Sequence, residues 1–148
     1  MTKKWMNGSC LCGEITYQVK DISERLSNCH CKMCRKFHGA AYATYAAVTP
    51  ENFNFLSGET LIAAYQAPNG TTRKFCPNCG TSLFFESATG SNDHVYFALS
   101  TLDAAAAIKP SAHIFTKYKA DWSFVDDGLP CYEEERGSSL YTKKAASD

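Results

Sequence analysis

The sequence predicts a mainly β protein with short antiparallel strands, little helix and a structural zinc site. Apolar residues alternate with polar ones at Ile15, Tyr17 and Val19, and a period of two is typical of a half-buried strand. Turn-forming residues recur at roughly ten-residue intervals, which is typical of an antiparallel β fold. Seven of the 8 cysteines fall into three tight clusters, and clustered thiols favour metal binding.

The first half of the chain combines strands with one short helical turn. Residues 8–19 are predicted as a metal-binding turn that opens into a strand. Residues 35–39 predict a helical turn ending at Gly39, because glycine accommodates the left-handed conformation at a helix C-terminus. The small residues and tyrosines of 40–48 favour a closely packed strand.

The second half contains most of the predicted strands. They are a run that begins at Phe53, followed by 61–66, 71–75, 81–86 and 94–99. Residues 68–70 supply a hairpin turn. Residues 103–107 predict one short helix, and the segment around residues 113–115 lacks the periodicity of regular structure.

Length and charge indicate one globular domain without a preference for polyanions. A chain of 148 residues can bury a single core, so we predict one domain over 1–148 with an ordered core of about 5–137. Lysine plus arginine and aspartate plus glutamate number 15 each. This balance provides no basic surface for nucleic acid or an anionic membrane, so neither is an expected partner.

The thiols are expected to be reduced. The basic residues Lys3 and Lys4 are not followed by an apolar run, so no signal peptide is expected, and no stretch approaches the length of a membrane span. We therefore expect a cytoplasmic protein. The 8 cysteines could instead form four disulfides in an extracellular protein, but Cys-x-Cys and Cys-x-x-Cys pairs are better chelates than bridges.

The two outer cysteine pairs predict a closed structural zinc site. Each pair is followed directly by glycine, at Gly13 and Gly80, whereas the central cluster is followed by Arg35. Glycine permits the backbone conformation that points N–H groups at thiolate sulfurs. This shared pattern assigns four thiolates to one tetrahedral site. The outer cluster consists of Cys10, Cys12, Cys76 and Cys79.

The central cluster predicts a second, open zinc site that carries the catalysis. This cysteine trio consists of Cys29, Cys31 and Cys34. Three thiolates leave one coordination position for water, thiol or substrate. Neighbouring cations would offset the negative charge of such a site or, without metal, lower the thiol pKa values. These cations are Lys32, Arg35 and Lys36.

The remaining histidines and the eighth cysteine allow other interpretations. A histidine could complete the trio and close a second structural site, and the candidates are His30, His38 and His113. Cys131 stands apart from the clusters, and a free cysteine is commonly a small buried hydrophobe.

These motifs resemble the glutathione-dependent formaldehyde-activating enzyme family, also called the GFA or CENP-V domain. The resemblance is carried by Gly-Ser-Cys10-Leu-Cys12-Gly, Cys29-His-Cys31-Lys-Met-Cys34-Arg35 and Phe75-Cys76-Pro77-Asn-Cys79-Gly80. A closing segment with His113-Ile114-Phe115, Trp122 and Asp127-Gly128-Leu129-Pro130 extends it over about 8–135.

The resemblance implies a β-tent fold with a structural zinc on the outer cluster and a second, more labile zinc on the trio. For the namesake enzyme the reaction adds glutathione to formaldehyde and gives S-hydroxymethylglutathione, a carbon–sulfur lyase activity. The implied partners are glutathione or a similar thiol and formaldehyde or a related aldehyde. The candidate residues for binding the thiol are Lys32, Arg35, Lys36 and His38.

Two sequence positions depart from the family pattern, and two other functions stay open. His38 stands where the family has a small hydroxyl residue, and Cys131 stands where it has a polar one. The protein could be a zinc-stabilised binding module, like β-tent accessory factors of small GTPases. The trio would then be a second structural zinc site. The protein could also be a redox enzyme related to methionine sulfoxide reductases, with Cys131 or a trio thiol as nucleophile.

Overall fold

A computed structural model describes residues 4–142, which form two compact units. The first unit comprises the described residues up to Leu26 together with Thr44–Lys109. The second comprises Ser27–Ala43 together with the described residues from Pro110 onward. One domain over 1–148 stays a prediction, and both ends of that range lie outside the described residues.

The described residues form ten strands and one α-helix, which confirms the predicted mainly β class with little helix. The strands are β1 (Met6–Ser9), β2 (Thr16–Val19), β3 (Ser27–Cys29), β4 (Ala43–Val48), β5 (Phe53–Ser57), β6 (Ala63–Gln66), β7 (Thr72–Phe75), β8 (Ser82–Glu86), β9 (Val95–Ala98) and β10 (Ala112–Ile114). The helix is α1 (Lys32–His38). The hairpin predicted at 68–70 connects β6 and β7, which pair antiparallel.

In the first unit, two antiparallel sheets pack face to face around Tyr17. One sheet has the order β1-β2-β5, and the other runs β4-β9-β8-β7-β6. The fully buried Tyr17 ring of β2 contacts Phe84 and Phe97 of the second sheet, and its hydroxyl lies 2.6 Å from Thr101 Oγ1. Gly8 permits this packing, because a Cβ there would lie 2.3 Å from Tyr17 Cζ.

In the second unit, a parallel strand pair leads directly into the helix. Strand β3 pairs with β10, with Cys29 opposite Ile114. Helix α1 begins after Cys31 and ends at Gly39, whose φ of 59° is left-handed and whose N–H donates to the Arg35 carbonyl. The predicted glycine stop is therefore confirmed, and the helix begins earlier than predicted, at Lys32.

Two local predictions were wrong. Residues 103–107 contain no helix, because the Asp103 N–H donates to the Asn7 carbonyl and its carboxylate accepts from Ser9 Oγ at 2.5 Å. The segment around His113, predicted as irregular, forms β10. Strands of three residues are too short to show the periodicity that predicts a strand.

Candidate functional site

The outer cluster forms one compact group of sulfur atoms in the first unit. The Sγ atoms of its four cysteines all lie within 4.8 Å of one another. Cys12 Sγ lies 3.5 Å from Cys10 Sγ and 3.8 Å from Cys76 Sγ. These separations are too long for a disulfide, and all eight cysteines are free thiols. They match the edge of about 3.8 Å that four Zn–S bonds of about 2.3 Å give to a tetrahedron, so the donor set fits zinc.

Two similar turns hold these sulfurs. The N–H of the first cysteine donates to the carbonyl five residues later, from Cys10 to Ile15 and from Cys76 to Thr81. The glycine N–H donates back to the first cysteine's carbonyl in both turns. Gly13 and Gly80 have φ values of 80° and 78°, a left-handed conformation that disfavours side chains. The shared glycine pattern in the sequence therefore corresponds to a shared turn geometry.

The turns also set the acidity of the thiols. Hydrogen bonding by Thr81 lowers the pKa of Cys79 to about 5, and a hydrogen bond with Asn78 lowers the pKa of Cys12. Burial raises the pKa of Cys76 to about 11. The chain therefore stabilises part of the cluster as thiolate without a metal. A bound cation would favour deprotonation of the rest.

The cysteine trio lies in the second unit, where β3 meets α1. Cys29 ends β3, Cys31 is the N-cap of α1, and the buried Cys34 lies in the first turn. The three Sγ atoms all lie within 4.8 Å of one another, and the Cys34 N–H donates to Cys31 Sγ at 3.3 Å. Hydrogen bonding with Cys31 and Cys34 raises the pKa of the Cys29 thiol. Three thiols that lie this close together fit a bound cation, which would favour their deprotonated form.

Within residues 4–142, no histidine, aspartate or glutamate joins the trio as a fourth ligand at this spacing. His30 and His113 hydrogen bond to each other instead, and His38 makes an edge-to-face contact with Phe37 at 5.4 Å between ring centroids. The described side chains therefore supply three ligands from cysteine alone.

Three of the four predicted thiol-binding residues line one cavity of about 450 Å³ in the second unit. This cationic cavity is lined by Lys32, Arg35, Lys36, Gly39, Ala40 and Trp122. The three cations lie on one face of α1, because residues three and four apart share a face. His38 is not among the lining residues. Trp122 was not predicted as a site residue. The sequence offered one signal, since Trp122 belongs to the closing segment that carries part of the family resemblance.

The family model described as glutathione-dependent formaldehyde-activating enzyme, abbreviated GFA, matches residues 5–118. The chain belongs to the GFA family. The matched range includes both the outer cluster and the trio, so the family assignment covers the two candidate metal centres.

Two further proteins resemble this GFA family member. An uncharacterized lyase of Schizosaccharomyces pombe is 29% identical over 142 residues, a match that covers 91% of this chain and 89% of that protein. A crystal structure of a Rhodobacter sphaeroides protein is similar with a TM-score of 0.58 and 20% identity, covering 69% of this chain and 92% of that one. At this identity the second likeness concerns the fold alone.

A hydrogen-bond chain of two buried histidines and an exposed aspartate lies beside the trio of this GFA family member. His30 Nε2 lies 2.8 Å from His113 Nδ1, and His113 Nε2 lies 2.8 Å from Asp127 Oδ2. The Tyr42 ring packs against both imidazoles. Burial lowers the pKa of His30 to about 4, and the hydrogen bond from His113 lowers the pKa of Asp127. The sequence named both histidines as possible ligands and missed this chain.

Cys131 is separate from both clusters. Its thiol is half-buried and lies 3.6 Å from the Leu129 carbonyl oxygen. Burial raises the pKa of this thiol, which disfavours its reactive thiolate form. No α-helix among residues 4–142 has the length and apolar character needed to cross a membrane.

Proposed function

We propose that the protein is a zinc-dependent carbon–sulfur lyase of the glutathione-dependent formaldehyde-activating type. It combines glutathione, or a similar thiol, with formaldehyde or a related aldehyde to give an S-hydroxymethyl adduct. The observation that carries the proposal is a trio of cysteine sulfurs without a fourth ligand from the described side chains. The lyase description of the Schizosaccharomyces pombe relative supports the reaction class.

The trio residues Cys29, Cys31 and Cys34 are the proposed ligands of the catalytic zinc. Zinc bound there supplies positive charge that favours the thiolate form of a thiol and polarises a carbonyl. In the overall reaction the thiol sulfur forms a bond with the aldehyde carbon, and the π electron pair of the carbonyl moves to its oxygen. The thiol proton ends on that oxygen, so no oxidant or reductant is needed.

The cationic cavity is the proposed site for the rest of the thiol substrate. Lys32 directly follows Cys31, and Arg35 directly follows Cys34. A helix of this length spans about 10 Å, which is also the reach of an extended tripeptide. Glutathione carboxylates held by Lys32, Arg35 and Lys36 would therefore leave its thiol within reach of the trio. The chain's contribution is capture and orientation, because thiols add to formaldehyde readily in water.

The outer cluster is the proposed site of a structural zinc. A closed set of four thiolates has no position for substrate, and the two turns come from parts of the chain that are 64 residues apart at Cys12 and Cys76. We expect the zinc on the trio to dissociate more readily, since three protein ligands hold it instead of four. Reduced thiols at both centres are consistent with the expected cytoplasmic location.

The test is the rate of exchange between formaldehyde and S-hydroxymethylglutathione, followed by NMR with ¹³C-labelled formaldehyde. We expect zinc-loaded protein to increase the exchange rate above that of the uncatalysed reaction and Cys31→Ser to abolish the increase. Cys131→Ser, which removes a cysteine outside both clusters, serves as the matched control and should retain it. Equal rates with and without the wild-type protein would overturn the proposed activity and favour a binding module.

A further inference from the structure

Trp122 is a large, exposed aromatic residue in the wall of the cationic cavity. Its side chain is 65% exposed, and it shares the cavity with Lys32, Arg35 and Lys36. None of the residues that line this cavity is acidic. The cavity therefore joins an aromatic surface to a group of positive charges.

The turn that carries Trp122 is held in place by hydrogen bonds. The Lys119 ammonium donates to the carbonyls of Ala120 and Ser123, at 3.0 and 2.6 Å. The Ser123 N–H donates to the Ala120 carbonyl at 3.2 Å, and Ala120 is buried. These bonds fix the backbone on both sides of the indole. Such preorganisation reduces the entropy that is lost when a ligand binds.

Arg35 connects this segment to the helix. Its Nη1 donates to the Tyr118 carbonyl at 2.8 Å, while its buried Nε has no hydrogen-bond partner among the described residues. The Lys32 ammonium forms no ion pair or hydrogen bond with another described residue, and the same holds for the Lys36 ammonium. The ammonium groups of Lys32 and Lys36 therefore have unused donors at a cavity that Trp122 also lines.

We infer that Trp122 is a specificity-determining residue that selects carboxylate-bearing peptide thiols. The apolar part of such a ligand packs on the indole, and its carboxylates pair with the cations of α1. An aromatic face gives large contact area at low cost in conformational entropy. A small uncharged or cationic thiol would gain neither contact. The inference rests on the proposed function for the identity of the substrate, but the binding that it describes does not require the reaction.

Indole fluorescence provides a direct test. The chain has 2 tryptophans, so Trp5→Phe leaves Trp122 as the single emitter. Zinc-loaded Trp5→Phe protein is titrated with glutathione, with S-methylglutathione, which has no free thiol, and with glutathione diethyl ester, which has no free carboxylate. We expect glutathione and S-methylglutathione to change the indole fluorescence in a saturable way. The diethyl ester should bind at least about tenfold more weakly, which is the equivalent of one lost charge-assisted contact.

Substitutions then test whether this binding depends on the Trp122 side chain. Ligand-observed NMR titrations with S-methylglutathione should show binding about tenfold weaker in Trp122→Ala and within about threefold of wild type in Trp122→Phe. Phe124→Ala is the matched control, because Phe124 is 82% exposed and is not a lining residue of the cavity. It should bind like the wild type.

The outcomes separate this inference from the proposed reaction. Unchanged affinity in Trp122→Ala, or no saturable binding of S-methylglutathione to the wild type, overturns the role of Trp122. Binding that depends on Trp122 supports it even where formaldehyde exchange is not accelerated, in which case the lyase proposal alone fails.

Discussion

The Nε2 atom of His30 lies 2.8 Å from the Nδ1 atom of His113. The two residues stand 83 positions apart in the chain and are both fully buried. When a neutral His113 imidazole donates from Nε2 to the Asp127 carboxylate, its Nδ1 is the acceptor for a hydrogen bond from His30 Nε2. The pair therefore connects the strand that ends in Cys29 with β10.

Loss of this hydrogen bond should destabilise the protein. His113→Phe keeps a ring in place but leaves His30 without its partner, while His30 Nδ1 already has none among the described residues. A buried polar group that loses its partner costs about 1–3 kcal/mol. We expect a decrease of that size in the free energy of unfolding, measured by urea denaturation of zinc-loaded protein.

The matched control is His94→Phe. His94 is exposed, and its substitution should change the free energy of unfolding by less than about 0.5 kcal/mol. If the wild type and His113→Phe had equal midpoints of urea denaturation, the imidazole pair would contribute nothing to stability.

Asp127 should give this region a stability that depends on pH. The hydrogen bond from His113 lowers the pKa of Asp127 in the folded protein. A lowered folded pKa contributes stability above the unfolded value of about 3.9 and loses it as the pH falls through the folded pKa. The wild type should thus be more stable than Asp127→Asn at neutral pH, and the difference should narrow below about pH 4.

The measurement compares urea midpoints of the two proteins across this pH range. The comparison at each pH cancels the loss of metal in acid, which affects both proteins. A difference that is constant with pH, or that grows in acid, would be the opposite of this expectation.

The sequence predicted the features that depend on local chemistry. Alternation identified β2, where Tyr17 and Val19 are fully buried, and glycine identified the end of α1 at Gly39. The glycines after two cysteine pairs distinguished the turns of the outer cluster from the trio. Each of these signals is contained in a few adjacent residues.

The features that the sequence did not predict depend on distant contacts. The three-residue strands β3 and β10 become recognisable only through their pairing, and the His30–His113 contact follows from that pairing. The alanines of 103–107 have high helix propensity, but so short a run cannot offset the cost of helix nucleation. Asp103 instead bonds to the β1 strand.

Gly80 should be required for its backbone conformation. Its φ is +78°, and a Cβ at this position would meet nothing within 4 Å. Gly80→Ala should therefore cost about 1–2 kcal/mol through backbone strain alone, with a smaller cost for Gly80→Asn because asparagine tolerates the left-handed region. Urea denaturation measures both, and equal stability of the alanine variant and wild type would contradict this.

A second glycine separates strain from an effect on metal binding. Gly90 has a φ of +66° and is equally open, but it is not part of either cysteine turn. Gly90→Ala should lower stability by a similar amount without changing the rate at which a chelator removes zinc. Gly80→Ala should accelerate that removal from the outer cluster.

The two cysteine clusters should differ in what their zinc does for the fold. Cys76 is fully buried within the hydrophobic core of the first unit, so Cys76→Ser should unfold the protein, since a structural zinc contributes on the order of 10 kcal/mol. Cys31 is half-buried at the start of α1. Cys31→Ser should therefore remain folded and lose only the second zinc. Zinc content by atomic emission and folding by circular dichroism measure the two effects.

Partial chelation tests the same difference without substitution. A chelator of intermediate affinity should remove about one zinc per chain while the far-ultraviolet spectrum is unchanged, because a site with three protein ligands releases its metal before a site with four. The fold could instead be lost together with the first zinc, or Cys31→Ser could unfold as readily as Cys76→Ser. Either outcome would mean that the trio is a second structural zinc site. The open coordination position, and with it the proposed lyase chemistry, would then have no site.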